Sequence, residues 1–310
     1  METLTVLATD LASGAARSEA ADLTAPVLFL ARGHSGTTIL ARLLEIGGVF
    51  MGDAADPKSL NQTYDSLIWA HGFERYLVPR LFEWGRGCRF ERPAVHAAAG
   101  RCLERHLAGD RKGPWGFKTC GAMFCLSLYR EVFPNAKYIY LVRDGRDVTI
   151  SGGGILYLTN PISRERDWEY FKVITFGLSN DVHTCPFEFP AAPSPDDVVM
   201  RNKYWIQAKC WREHVRMMER LAQEGELTIP LFTLRYEDLC TDPVGSLEAM
   251  FAFLELPLAP EVCQAATTMV HANSVGRWKY YRQHVGDCGE DMEAVFASMG
   301  PELKRLGYPA

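Results

Sequence analysis

Apolar residues fall in short blocks along the chain, and each block stops at a glycine or a charged turn. Val27, Leu28, Phe29, Leu30 and Ala31 form the first, closed by Gly33. An unbroken run of strand formers predicts a strand buried on both faces, as in a parallel sheet. Beyond Gly36 the spacing changes. Ile39, Leu40, Leu43 and Leu44 share one helical face, and Gly47-Gly48 ends the helix. The same succession recurs. Residues 137–142 read as a strand, entered from a helix near 123–132 through Pro134-Asn135 and left by the polar turn Arg143-Asp144-Gly145-Arg146-Asp147. Residues 229–234 read as a further strand, ending in Arg235-Tyr236-Glu237-Asp238. Asp242-Pro243 then opens a helix carrying Leu247, Met250, Phe251 and Leu254. Strands alternating with helices predict a doubly wound α/β fold, its sheet mostly parallel with helices on both faces.

Two stretches stand outside that rhythm. Residues 1–25 are Ala-rich and read as a loose leader. Residues 152–200 hold Gly152-Gly153-Gly154, the aromatics Tyr157, Trp168, Tyr170, Phe171 and Phe176, and a proline-rich stretch from 185 to 195. Long irregular connections in a domain are more often functional than accidental. The organisation expected is a leader followed by one domain, 26–310, with a substrate-side insertion at 152–200.

Composition narrows the class. A chain of 310 residues, 47% hydrophobic and 23% charged, is that of an ordinary globular protein with a sizeable core. Its formal charge of −5 argues against broad nucleic-acid binding. The nine cysteines show no metal-ligand spacing. Cys120 and Cys125 sit in an apolar run without a second pair, so reduced, buried thiols are expected and no metal. The first twenty residues lack the basic-then-apolar layout of a signal peptide, and no run of ~18 apolar residues occurs. A cytoplasmic protein with no membrane partner is the expectation.

The candidate chemistry lies where strands end. Arg32-Gly33-His34-Ser35-Gly36-Thr37-Thr38 joins the first strand to the first helix. A helix N-terminus offers outward N–H groups and partial positive charge, so an anion is bound there readily. The triphosphate-binding version, G-x-x-x-x-G-K-[ST], needs a lysine where Thr37 stands and a glycine where Ala31 stands. Taken alone, the loop reads equally as a tight turn with no ligand. Arg143 leaves the second strand at its carboxyl end, where open α/β sheets bind ligands, and Ser151 can return to the same place across a short helix. An arginine fork with a hydroxyl suits a phosphate monoester, although a salt-bridged turn explains the same residues. Ser274-Val275-Gly276-Arg277-Trp278-Lys279-Tyr280-Tyr281 joins cations to aromatics and reads alternatively as an amphipathic turn.

In this order, the stretches resemble the sulfotransferase family that uses 3′-phosphoadenosine-5′-phosphosulfate (PAPS). Ser35-Gly36-Thr37-Thr38 is similar to the family's 5′-phosphosulfate loop. Leu141 to Val148 with Ser151 is similar to its 3′-phosphate motif. Arg235-Tyr236-Glu237-Asp238-Leu239 with Asp242-Pro243 resembles its adenine-side strand and turn, and Gly276-Arg277-Trp278-Lys279 its C-terminal segment over the cofactor. The resemblance spans 27–282 and implies a P-loop NTPase-like three-layer α/β/α fold, of the soluble bacterial type. It implies that Arg32, Gly33, Ser35, Gly36, Thr37 and Thr38 hold the 5′ end, and that Arg143 and Ser151 grip the 3′-phosphate. Tyr236 would face the adenine, and Arg277 and Lys279 would close over the phosphates. No metal is implied, and 3′-phosphoadenosine-5′-phosphate (PAP) is the product. Several relatives place an arginine before Ser-Gly-Thr, so that charge falls here to His34 or to Arg32.

The reaction would move a sulfuryl group to a hydroxyl or amine of a small acceptor, as in secondary metabolism. It needs a base, worth ~10²–10⁴ in rate, and donors for the leaving oxygen. Lys118 in Trp115-Gly116-Phe117-Lys118-Thr119 is the leading donor, where relatives often carry a lysine before Asp-Pro or Thr-Pro; Cys120 replaces the proline. Asp53 is the leading base, with Asp65 and His71 as alternatives and Asp56 nearby. Asp144, Asp147 and Asp238 are expected to orient arginines. Trp69, Phe73 and Tyr76 suggest an apolar acceptor pocket, or else core. A metal-dependent small-molecule kinase and a catalytically silent nucleotide-binding module are the competing readings, and the oligomeric state is left open.

Overall fold

A computed structural model describes residues 23–52, 67–74, 92–107, 113–119, 121–151, 203–225, 227–284 and 289–309. Most of the expected leader, the insertion at 152–200, and Asp53, Asp56, Asp65, Tyr76 and Cys120 lie outside the described residues.

The elements follow the order β1 (Val27–Leu30), α1 (Thr37–Ile46), α2 (Leu67–Trp69, continued by a π-helical turn, Ala70–Glu74), α3 (Arg92–His106), β2 (Gly116–Phe117), α4 (Leu126–Val132) and β3 (Lys137–Val142). Then come α5 (Gly145–Ile150), α6 (Lys203–Gln223), β4 (Leu231–Arg235), α7 (Tyr236–Thr241), α8 (Pro243–Leu254), α9 (Pro260–Met269), α10 (Trp278–Tyr281), α11 (Met292–Ala297) and α12 (Gly300–Arg305). The strands lie in the order β2-β1-β3-β4, all parallel, with Val27 opposite Lys137 and Tyr138 opposite Leu231. Phe50 adds a parallel bridge to Trp115 beyond β2. β4 begins at Leu231, because Pro230 has no N–H to give a ladder; its carbonyl still accepts from the Tyr138 N–H at 2.8 Å.

Every residue of β1 is buried, and its alternation divides the core. Leu28 and Leu30 face an aromatic side with α3 and α4; Val27 and Phe29 face an aliphatic side with α1, α8 and α9. Trp69 and Phe73 are fully buried on the aromatic side, where Trp69 stacks on Phe117 at 4.4 Å. The core, not an acceptor pocket, is therefore where both rings reside. A third apolar cluster joins α5, α6, α11 and α12 to Trp278. The helix expected near 123–132 opens as a tighter 3₁₀ turn, Ala122–Cys125, before α4. Among the described residues Cys102, Cys125 and Cys210 are buried and Cys240 and Cys263 half-buried; burial pushes the Cys102 thiol up to about 11.

Candidate active site

All the strands point their carboxyl ends at one edge of the sheet, because all are parallel. At that edge β1 feeds residues 31–36. His34 (φ 70°) and Gly36 (φ 100°) take left-handed backbone conformations, costly for histidine and open to glycine. A Cβ on Gly36 would come within 2.4 Å of Tyr236 Cδ2, so only glycine lets the loop lie against that ring. Gly36 is also the N-cap of α1, which has no side-chain cap. Ser35 and Thr37 are buried beneath the loop, and Thr38 is half-buried.

The turn after β3 is built differently. Asp144 caps α5 by accepting from the Arg146 N–H at 2.9 Å, and it also holds the Arg146 guanidinium through bonds of 2.8 and 3.0 Å. That guanidinium lies over the Trp278 ring, 3.7 Å from its centroid. The Trp211 indole donates to the Arg143 carbonyl at 3.1 Å and fits only because Gly145 has no Cβ. Arg143 itself is buried, donates to the His34 carbonyl at 2.9 Å and to the Ser274 carbonyl, and spreads over the Tyr236 ring at 4.6 Å. The Tyr236 hydroxyl meets Ser274 Oγ at 2.9 Å. Ser151 sits at the end of α5, and its hydroxyl donates to the Asp147 carbonyl at 2.7 Å.

Asp147 does not orient an arginine by direct contact. Its carboxylate accepts the N–H groups of Gly276 (2.6 Å) and Trp278 (3.0 Å), and so clasps the C-terminal segment against the turn. Burial raises its pKa, against the pull of those two bonds. Arg277 and Lys279 flank Trp278 on the same segment and are exposed.

Positive charge converges on the phosphate-type loop. Lys118, at the end of β2, is buried. Burial first, then the charges of Arg32, Lys118 and Arg143, hold the His34 imidazole down to about 4, neutral at physiological pH. Arg32 donates to Gln207 Oε1 of α6 at 2.7 Å. The Nε atoms of both Arg32 and Arg143 are buried without a hydrogen-bond partner. An unpaired buried donor on a cation costs more than one on a neutral group. Both Nε atoms belong to side chains that meet at the same loop.

The structure thus brings together Arg32, His34, Ser35, Gly36, Thr37, Lys118, Arg143, Tyr236 and Ser274. Asp53 and the side chain of His71 lie outside the described residues. Gln207 and Trp211 were not legible as site residues, because each acts by bracing an arginine-bearing element rather than by a motif of its own. No group of three or more candidate metal ligands occurs among the described residues. No described helix is long and apolar enough to cross a membrane.

Residues 124–275 match the family model described as a sulfotransferase domain. That match covers a little under half of the chain. It spans β3, the Arg143 turn and the approach to the C-terminal clasp, so the braced turn lies inside the matched residues. Crystal structures of similar fold include the sulfotransferase STF9 from Mycobacterium avium, at 14% identity and a TM-score of 0.51, covering 99% of this chain and 82% of that one. The sulfotransferase domain from the curacin biosynthetic pathway aligns at 15% identity and a TM-score of 0.48, over 92% of this chain and 98% of that one. No curated protein matches the sequence. The parallel sheet and the likeness to the M. avium structure agree with the P-loop-like α/β arrangement expected from the sequence.

Proposed function

We propose that this sulfotransferase takes its sulfuryl group from PAPS and passes it to a hydroxyl or amine of a small acceptor. The observation that carries the reading is the pair of unpartnered, buried guanidinium Nε atoms of Arg32 and Arg143 on either side of the His34–Gly36 backbone turn. The residues present fit the donor. Arg32, Gly33, Ser35, Gly36, Thr37 and Thr38 would hold its 5′ end at the N-terminus of α1. Arg143, with Ser151 at the end of α5, would hold the 3′-phosphate, and Arg277 and Lys279 lie on the clasped segment next to it. Tyr236, packed on Gly36, supports the loop from the adenine side.

PAPS would supply a sulfuryl group, and its transfer to the acceptor oxygen or nitrogen leaves PAP and one proton. Lys118 stabilises negative charge on the leaving oxygen; one such preorganised donor is worth ~2.7–4 kcal/mol. Neutral His34 adds a hydrogen-bonding group at the loop without adding a fourth cation. Asp53 remains the proposed base, taking the acceptor's proton. The aromatic insertion at 152–200 is the proposed acceptor side, in a cytoplasmic enzyme that needs no metal. The test is mass spectrometry of an acceptor library incubated with PAPS and a metal chelator. A product heavier by one SO₃ supports the reading. Transfer of phosphate from ATP in the presence of Mg²⁺, with none from PAPS, contradicts it.

A further inference from the structure

Tyr308 is absorbed by none of the roles above, although Glu237 ties it to the turn that carries Arg143. The Asp144 N–H, one peptide beyond Arg143, donates to Glu237 Oε1 at 2.9 Å. The other oxygen of the same carboxylate accepts from the Tyr308 hydroxyl at 2.9 Å. Tyr308 is buried. It is fixed from two further directions: the Arg235 guanidinium lies over its ring at 4.1 Å, and the same arginine donates to the Leu306 carbonyl at 2.7 Å. Gly307 (φ 74°) turns the backbone so that the ring reaches the carboxylate. Arg235 ends β4 and Glu237 opens α7, while Arg143 leaves the neighbouring, hydrogen-bonded strand at the same level, Val142 opposite Arg235. Tyr308 is therefore two hydrogen bonds from the backbone that aims Arg143.

We infer that Tyr308, acting through Glu237, is a positioning residue for the 3′-phosphate arm of the site. A carboxylate with two oxygens can hold a backbone N–H firmly only if its own rotamer is fixed. The Tyr308 hydroxyl fixes it, and the Trp211 indole on the Arg143 carbonyl holds the same peptide from the opposite side. Loss of the Tyr308 bond frees the carboxylate to rotate and lets the 143–144 peptide swing. The cost would then fall on recognition of the 3′-phosphate, while the 5′ loop after β1 is untouched.

This inference rests on the PAPS reading, and the experiment separates the two. Calorimetry on the full chain compares PAP with adenosine 5′-phosphate, which lacks only the 3′-phosphate, for the wild type, Tyr308→Phe and Glu237→Gln. The wild type should prefer PAP. Tyr308→Phe should lower the affinity for PAP about threefold to tenfold, the worth of one ordinary hydrogen bond since the effect is relayed through Glu237, and leave that for adenosine 5′-phosphate unchanged. Glu237→Gln should reduce the preference further, and adding Tyr308→Phe to Arg143→Ala should change nothing more. A merely structural role would weaken both ligands in parallel, which overturns the inference. A wild-type preference kept in full by both variants overturns it as well. Absence of any preference in the wild type overturns the PAPS reading together with it.

Discussion

The turns after β1 and after β3 stand side by side at one sheet edge, yet they are held by opposite means. The first is left-handed at two positions, has no side-chain cap on α1, and packs by the bare backbone of Gly36 against Tyr236. The second is capped by Asp144, braced by Trp211 and Glu237, and clasped to the C-terminal segment by Asp147. An oxygen-rich anion at a helix N-terminus needs free N–H groups, so the first turn leaves them uncapped. An arginine that must discriminate one phosphate needs a fixed origin, so the second turn is over-determined. In the proposed function, backbone binds the donor at one turn and a positioned side chain recognises it at the other.

The largest effect should come from Lys118, at the end of β2 on the far side of the first turn. Lys118→Ala is expected to cut kcat by ~10²–10³ while PAP still binds, since the lysine acts on charge that develops during transfer. Steady-state kinetics with calorimetry checks this, and near-normal turnover removes Lys118 from the mechanism. Gly36→Val attacks the first turn. A side chain there meets both the positive φ and the Tyr236 ring, so a stability loss of ~1–3 kcal/mol and failure to bind PAP are expected. Urea unfolding reads the first, calorimetry the second. Asp147→Asn attacks the second turn more gently. An amide keeps one acceptor oxygen, so one of the two clasping N–H bonds is lost, at ~1 kcal/mol, with PAP binding weakened and no change of fold.

The smallest effect is a linked proton. The His34 pKa is depressed in the folded chain, to about 4 from 6.5, so the unfolded chain takes up the proton first. The stabilising contribution is full above pH 6.5 and is lost as pH falls towards 4. A bound anion opposes the three cations and raises the imidazole's pKa, so PAP binding near pH 5 should take up protons. Calorimetry in buffers of different ionisation heats measures that uptake. His34→Gln should abolish it, and an unchanged uptake would place the anion elsewhere.

The strand ends were readable from the sequence because buried strands are continuous apolar runs and their exits are polar. Val27 to Leu30 and Lys137 to Val142 show this, and Arg143, Lys118 and the Ser35 to Thr38 loop follow from where those runs stop. What was hidden depends on contacts far apart in the chain. Asp147 looked like an arginine partner, since nothing local shows that its carboxylate meets N–H groups of residues 276 and 278. Trp69 and Phe73 share the spacing of a pocket lining and of a core helix, and only the packing on Phe117 and Tyr129 decides between them. Gln207 was silent because a lone glutamine on a long helix carries no signal until Arg32 is seen beside it.

The most direct measurement is a calorimetric titration of the full chain with PAP in the presence of a metal chelator, repeated on Arg143→Ala. One-site binding that the arginine variant loses by tenfold or more, about 1.4 kcal/mol, is the predicted result. Absence of binding, or binding that Arg143→Ala leaves intact, would contradict a site made of an uncapped helix N-terminus facing a braced arginine.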